Sequence, residues 1–157
     1  MAKLAHRVNC RPARRMDHAI IRQIFAQAMP HGLALGIALE ELGSAHAVVR
    51  LPWAEHLVGN PATGVLHGGA ITTLMDSVCG AAGMCAMEDP APMATLDLRI
   101  DYLRPATPRQ DLLARADCYR VTRSILFVRG MAYHTAPDDP VAHATATFMI
   151  NRPEAKP

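Results

Sequence analysis

The chain has 157 residues, half of them apolar but only 4% aromatic, so one ordered core built from Ala, Leu, Val, Ile and Met is expected. Its formal charge of +2 hides a division: Lys3, Arg7, Arg11, Arg14 and Arg15 precede the first acid, Asp17, and the remainder carries eleven basic against fourteen acidic residues, or −3. A body of that sign lacks the basic face with which a duplex binder displaces counterions, so nucleic acid is not an expected partner.

After the basic tail, Asp17 is a candidate N-cap for a short amphipathic helix carrying Ile20, Ile21, Ile24, Phe25 and Ala28 and ending at Pro30. The apolar stretch Gly32 to Leu42 reads as a strand, and a turn at Gly43 and Ser44 joins it to a second strand from Ala45 to Leu51. Residues 52–66 hold two prolines, Gly59, Asn60 and Gly64, the composition of a long loop, and long ordered loops often carry function. A helix follows from Gly68 to about Met87, with Ile71, Leu74, Val78, Ala82 and Cys85 on one stripe. Leu96, Leu98, Ile100 and Tyr102 alternate with polar residues up to Pro105, and Leu112 to Val121, Ser124 to His134 and Val141 to Ile150 complete a meander. Strands grouped around one long helix indicate an α+β fold in which that helix lies across an antiparallel sheet. The second face of the helix carries Gly69, Thr72, Thr73, Asp76, Gly80 and Gly83, small residues expected to admit another backbone.

The stretch from Gly69 to Met87 is apolar enough to suggest a membrane span, but Asp76 near its middle, with Thr72, Thr73 and Ser77 around it, argues against one. Cys10, Cys79, Cys85 and Cys118 form no C-x-x-C pair or disulfide framework, and no secretory leader opens the chain. Reduced thiols and a cytoplasmic location are therefore expected.

Two features could carry chemistry. Gly64-Val-Leu-His67-Gly68-Gly69 ends a loop at a helix start, where free N–H groups and the positive end of the dipole favour an oxyanion. A P-loop is excluded because Ala70 and Ile71 stand where Lys and Ser/Thr are needed. The glycines could equally permit a tight turn that His67 caps. Asp76 is a carboxylate in an otherwise uncharged helix, which suits a general base, a satisfied buried acid or an arginine partner. Gly69 and Asp76 face the same way but lie ~10 Å apart along the axis, so one helix cannot bring both to one carbonyl. Two helices packed antiparallel about a twofold axis can, giving two composite sites per dimer. Cys79 lacks an adjacent base and reads as packing, and the eight histidines lack metal-ligand spacing. Arg104, Arg109, Arg120 and Arg123 lie near strand ends, where they could hold an acidic ligand or simply be solvated.

Taken together, Asn60, Gly64, His67-Gly68-Gly69, Asp76 nine residues after the histidine, and Thr95-Leu-Asp-Leu-Arg-Ile-Asp-Tyr-Leu-Arg-Pro105 resemble the hotdog-fold acyl-CoA thioesterases of the phenylacetic-acid-degradation, PaaI-like group, over residues 31–151. The resemblance implies a long central helix wrapped by an antiparallel sheet of about six strands. It divides the chain into a basic tail (1–15), one hotdog domain (16–152) and a C-terminal tail (153–157). It implies an acyl-CoA substrate with an aromatic or medium-chain aliphatic acyl group, no metal or other cofactor, no membrane, and a homodimer that pairs into a dimer of dimers. By the same resemblance Asp76 is general base or nucleophile, the Gly69 N–H donates to the thioester carbonyl, His67 orients the loop, Asn60 positions water or carbonyl, and Thr95 assists the water. Gly68, Thr73, Arg104, Arg123 and Ser124 are the expected substrate and CoA contacts. Family members place the asparagine three residues before the loop glycine, whereas Asn60 precedes Gly64 by four, a loop one residue longer. A non-catalytic acyl-CoA sensor using the same pocket is the alternative. Asp138 and His143 match the Asp-x4-His spacing of a hotdog hydratase but fall at a late turn and strand.

Overall fold

A computed structural model describes residues 17–89 and 91–152; the expected tails at 1–15 and 153–157, with Cys10, lie outside the described residues. Asp17 caps the first helix as expected, its carboxylate accepting from Ala19 N at 2.9 Å, but α1 is short, His18–Gln23. A π-helical turn, Ile24–Ala28, continues it to Met29. The strand expected from Gly32 is corrected here. Pro30 occupies the first position of a new helix, α2 (Pro30–Ala34), where its fixed φ is preorganised and its missing N–H costs nothing. Leu33 N bonds Met29 O and Ile37 N bonds Gly32 O, and Gly36, at φ +73°, turns the chain out of the helix. Only then does β1 begin, Ala38–Leu42.

β1 pairs antiparallel with β2 (His46–Leu51) through the expected turn, closed by Gly43 N to His46 O at 2.8 Å. The long loop contains a 3-10 turn, Glu55–Leu57, and a small ribbon of β3 (Val58–Asn60) with β4 (Val65–Leu66). The central helix α3 runs Gly68–Ala86, followed by β5 (Met93–Tyr102), β6 (Leu112–Val121), β7 (Ile125–Tyr133) and β8 (Pro140–Ile150). Six strands form one antiparallel sheet in the order β1-β2-β6-β7-β8-β5. The chain thus crosses under the sheet through α3, emerges at the far edge as β5, and returns to the middle as β6.

The α3 stripe predicted from periodicity is the buried one: Ile71, Leu74, Val78, Ala82 and Cys85 are all at or below 3% exposure. They meet the inward residues of β2, β6, β7 and β8, many of them alanine, so a core poor in aromatics is filled by bringing helix and sheet close together. One close approach falls at Gly130 on β7, where a Cβ would lie 3.3 Å from Cys79 Sγ of the helix and 3.2 Å from Arg115 O of the neighbouring strand. The second helix face differs from expectation at its C-terminal end. Gly80 and Gly83 face the side chains of Met93, Phe148 and Leu126 of the chain's own sheet, not another backbone. α3 is, among the described residues, the helix long and apolar enough to cross a membrane; 61% of its most apolar window is buried inside this fold.

Candidate active site

His67 is the N-cap of α3 and its Nδ1 accepts from Gly69 N at 2.9 Å. Ala70 N and Ile71 N turn back to His67 O, and Gly68 N–H finds no acceptor among the described residues. The first turn therefore offers one open N–H, on Gly68, and a second, on Gly69, held by an exposed imidazole. His67 caps the turn, at the end of α3 where the dipole is positive.

The loop before it is tied down from several sides. His67 N donates to Leu57 O at 2.8 Å, and Gly59 lies so close to the His67 Cα that an added Cβ would stand 2.8 Å from it. Trp53 Nε1 donates to Gly64 O at 3.0 Å, while Trp53 N donates to Asp111 Oδ1 at 2.9 Å. That amide, together with Arg50, holds the Asp111 carboxyl below its ordinary range against a smaller opposing effect of burial. Asn60 is used inside its own loop: its Oδ1 accepts from Ala62 N at 3.1 Å and its O accepts from Thr63 N and Gly64 N. The longer loop thus turns the asparagine into a local turn-former, with Gly64 at φ +75° completing the bend.

Asp76 lies half-buried on α3, two turns beyond Gly69 and on the same side. Thr95, near the start of β5, donates from Oγ1 to Asp76 Oδ1 at 3.0 Å, so these two expected residues are together. Thr73 Oγ1 donates to Gly69 O at 3.0 Å and lies 3.3 Å from His31 Nε2 on α2. At the other side of the turn the Tyr102 hydroxyl donates to Gly68 O at 2.9 Å and sits 2.9 Å from Thr72 Oγ1. His31 and Tyr102 escaped the sequence reading. Tyr102 stood in plain view as the last alternating residue of a strand, whereas nothing local signals that α2 reaches α3.

The expected CoA contacts separate. Arg104 grips Asp139, Nε to Oδ1 at 3.1 Å and Nη2 to Oδ2 at 2.7 Å, and also bonds the Asp139 and Pro105 carbonyls, so it braces the chain after β5 against the turn before β8. Arg123 and Ser124 are exposed in the β6–β7 turn, where Ser124 O accepts from Ile150 N. Register places Ile150 opposite Met93 at the start of β5 and Ala142 opposite Tyr102 at its end. Arg123 and Arg104 therefore sit at opposite ends of the sheet, the first beyond Asp76's end of α3 and the second near Gly69's. Cys79 is fully buried, and desolvation, with a smaller contribution from the Asp76 charge, pushes its thiol up to about 12. It is a packing group, not a nucleophile. His143 is exposed on β8 opposite Asp101, and Asp138 lies in the exposed turn before it. Among the described residues no group of three or more His, Cys, Asp or Glu side chains could hold a metal ion.

A long helix wrapped by a six-stranded antiparallel sheet, with a histidine-capped glycine turn and a carboxylate two turns on, defines a hotdog thioesterase. The sequence model of the Thioesterase superfamily matches residues 63–140. The YigI medium/long-chain acyl-CoA thioesterase of Salmonella typhimurium is 30% identical over 144 residues, 83% of this chain and 92% of that protein. An esterase-named protein of Halobacterium salinarum is 39% identical over 100 residues, and the match spans 60% of this chain and 65% of that protein's length. Among solved structures, a Pseudomonas aeruginosa protein superposes with TM-score 0.75 at 44% identity, covering 83% of this chain and 96% of that one. A mutant form of the phenylacetic acid degradation protein PaaI from Thermus thermophilus superposes with TM-score 0.68 at 26% identity, covering 78% and 99%. This chain belongs to the thioesterase superfamily, the thioester hydrolases of hotdog fold.

Proposed function

We propose that the protein hydrolyses an acyl-CoA to the free acid and CoA, with an aromatic or medium-chain aliphatic acyl group. The observation that carries this reading is Asp76: a half-buried carboxylate on an uncharged helix, hydrogen-bonded by Thr95 at 3.0 Å and facing the same side as the Gly68-Gly69 turn. As a general base, Asp76 takes a proton from water while the hydroxide adds to the thioester carbonyl; the C–S bond then breaks and the thiolate leaves with a proton. As a nucleophile, Asp76 adds to the carbonyl and the C–S bond breaks, releasing the CoA thiolate and leaving an anhydride that water opens to the free acid and the regenerated carboxylate. Thr95 orients the carboxylate or its water. The oxyanion is held by the Gly69 N–H once His67 swings aside, with the open Gly68 N–H beside it. Asn60 positions water or the carbonyl, Gly68 and Thr73 contact the substrate, and Arg123 with Ser124 lies toward the CoA portion.

The reading includes a homodimer, because Gly69 and Asp76 are too far apart on one helix to share a carbonyl. β5 supports this: it is ten residues long, forms the sheet edge, and leaves Leu96 and Tyr102 about half exposed. Pairing two β5 edges would join the sheets and bring each α3 beside its twofold mate. Dimers then pair again, and the outer sheet face supports a self-complementary contact, with Arg99, Arg115 and Arg129 set among Asp101 and Asp117. Free thiols at Cys79, Cys85 and Cys118 fit a reducing, cytoplasmic setting.

The test is thiol release from a panel of aromatic and aliphatic acyl-CoAs by the wild type and by Asp76→Asn. The variant should bind its substrate but lose ~10²-fold or more in kcat. Near-normal turnover by the pure variant would remove Asp76 from the mechanism, and binding without turnover by the wild type would make the protein an acyl-CoA sensor.

A further inference from the structure

Beside the Gly68-Gly69 turn lies a hollow of about 430 Å³ that the proposed chemistry does not itself require. Its walls are Leu35, the C-cap of α2, Leu57 and Val58 from the loop, and Ala70 of α3, with His31, His56, His67 and Thr73 completing the lining. Gly69 opens into it directly. That size is within the range of pockets that bury a small ligand.

α2 is fastened to the hollow by more than packing. Thr73 Oγ1 donates to Gly69 O and lies 3.3 Å from His31 Nε2, so one hydroxyl links α2 to the first turn of α3. Leu35 follows His31 by four residues, one turn on, and its N–H bonds His31 O. Both side chains therefore face the same way, over the first turn of α3. The segment lies outside residues 63–140, the span matched by the superfamily's sequence model.

We infer that α2 is the end wall of the acyl pocket, with Leu35 and His31 setting the length of acyl chain the protein accepts. This rests on the reading that a thioester carbonyl sits at the Gly68-Gly69 turn. From such a carbonyl the substrate extends two ways, through carbon to the acyl group and through sulfur to the phosphates of CoA. No lysine or arginine lines this hollow; His31, His56, His67 and Thr73 stand at its polar side and Leu35, Leu57, Val58 and Ala70 supply an apolar side, so it lacks the fixed cations that the phosphate-bearing arm calls for and offers apolar surface to the acyl arm. His31 and Leu35 stand on one side of the hollow, where a longer acyl chain would meet them.

The experiment compares wild type, Leu35→Trp and Leu35→Ala on short, medium and long straight-chain saturated acyl-CoAs, and in parallel measures the affinities of the matching non-hydrolysable thioethers. Filling the pocket with tryptophan should lower the ratio of long-chain to short-chain kcat/KM by roughly tenfold or more, since each displaced methylene forfeits its burial. The alanine variant should move the optimum toward longer chains. Thioether affinities should follow the same order. Equal losses at every chain length in both variants, or an unchanged profile, would overturn the assignment while leaving the thioesterase reading standing. Chain-length-dependent affinity that Leu35→Trp truncates, with no turnover of any ester, would do the reverse. A wild type that neither cleaves nor binds any member would overturn both.

Discussion

Shared sites make a quantitative demand on mixed oligomers. Gly69 and Asp76 are separated by seven residues of unbroken helix, and at 1.5 Å per residue this is ~10 Å, more than three hydrogen-bond lengths. Nothing in one protomer shortens that distance, because Thr95 holds Asp76 at its own end and His67 caps Gly69 at the other. Two variants divide the site: Asp76→Ala removes the carboxylate, and Gly69→Val crowds the turn. The ideal Cβ at Gly69 would lie 2.9 Å from His67 Nδ1, so valine displaces an exposed imidazole and leaves the core alone. Each variant by itself should be nearly inactive. If the two groups at one carbonyl come from different protomers, a mixed dimer contains one site with both lesions and one with neither. Random co-assembly makes about half of all dimers mixed, and each has half its sites intact, so roughly a quarter of wild-type activity should return. Two affinity tags isolate the mixed species, for which thiol release per dimer should rise to about half of wild type, one intact site of two. Verified mixed dimers without activity would mean that each protomer completes its own site, and the inference from helix length would be refuted.

The two arginines expected near CoA should now behave differently. Arg123→Ala should raise KM more than it lowers kcat, with the effect shrinking at high salt, and an unchanged KM would exclude it from the anion site. Arg104→Ala, which breaks a two-pronged contact with the exposed Asp139, should leave KM alone and cost only the ~0.2–1 kcal/mol of a surface pair, read by thermal unfolding. Cys79 should resist thiol reagents at about pH 8 in the folded protein and label on unfolding. Because its thiol ionises near 12 in the fold against an ordinary 9.0, stability should fall as pH climbs through that interval, where the unfolded chain loses the proton first. Rapid native labelling at Cys79 would show that helix and sheet do not close at Gly130 as described.

What the sequence determined by itself is whatever repeats or is locally forced. Period-two alternation from Leu96 to Tyr102 marked β5, and a 3.6-residue stripe marked the buried face of α3, because these periods follow from the geometry of strand and helix. The His67-Gly68-Gly69 turn and Asp76 were legible for the opposite reason: glycine at a helix start and a charge in an apolar helix are each unfavourable enough to need a cause. Tertiary structure decided the rest, since it depends on which distant groups meet. Arg104 could be a ligand contact until Asp139, 35 residues away, takes its guanidinium. Asn60 has the residue type of a site group, but that its side-chain oxygen takes the Ala62 amide while its carbonyl takes that of Gly64 shows only in the folded loop. Gly80 and Gly83 look like a seam for another backbone, but Met93, Phe148 and Leu126 of the same sheet already occupy that space. The segment after Met29 is apolar enough for a strand, and it is helical because Pro30 starts a turn that His31 then fastens to Thr73, 42 residues on. Local pattern selects the element, whereas long-range pairing of hydrogen-bonding groups selects its partner, and only the second creates a site.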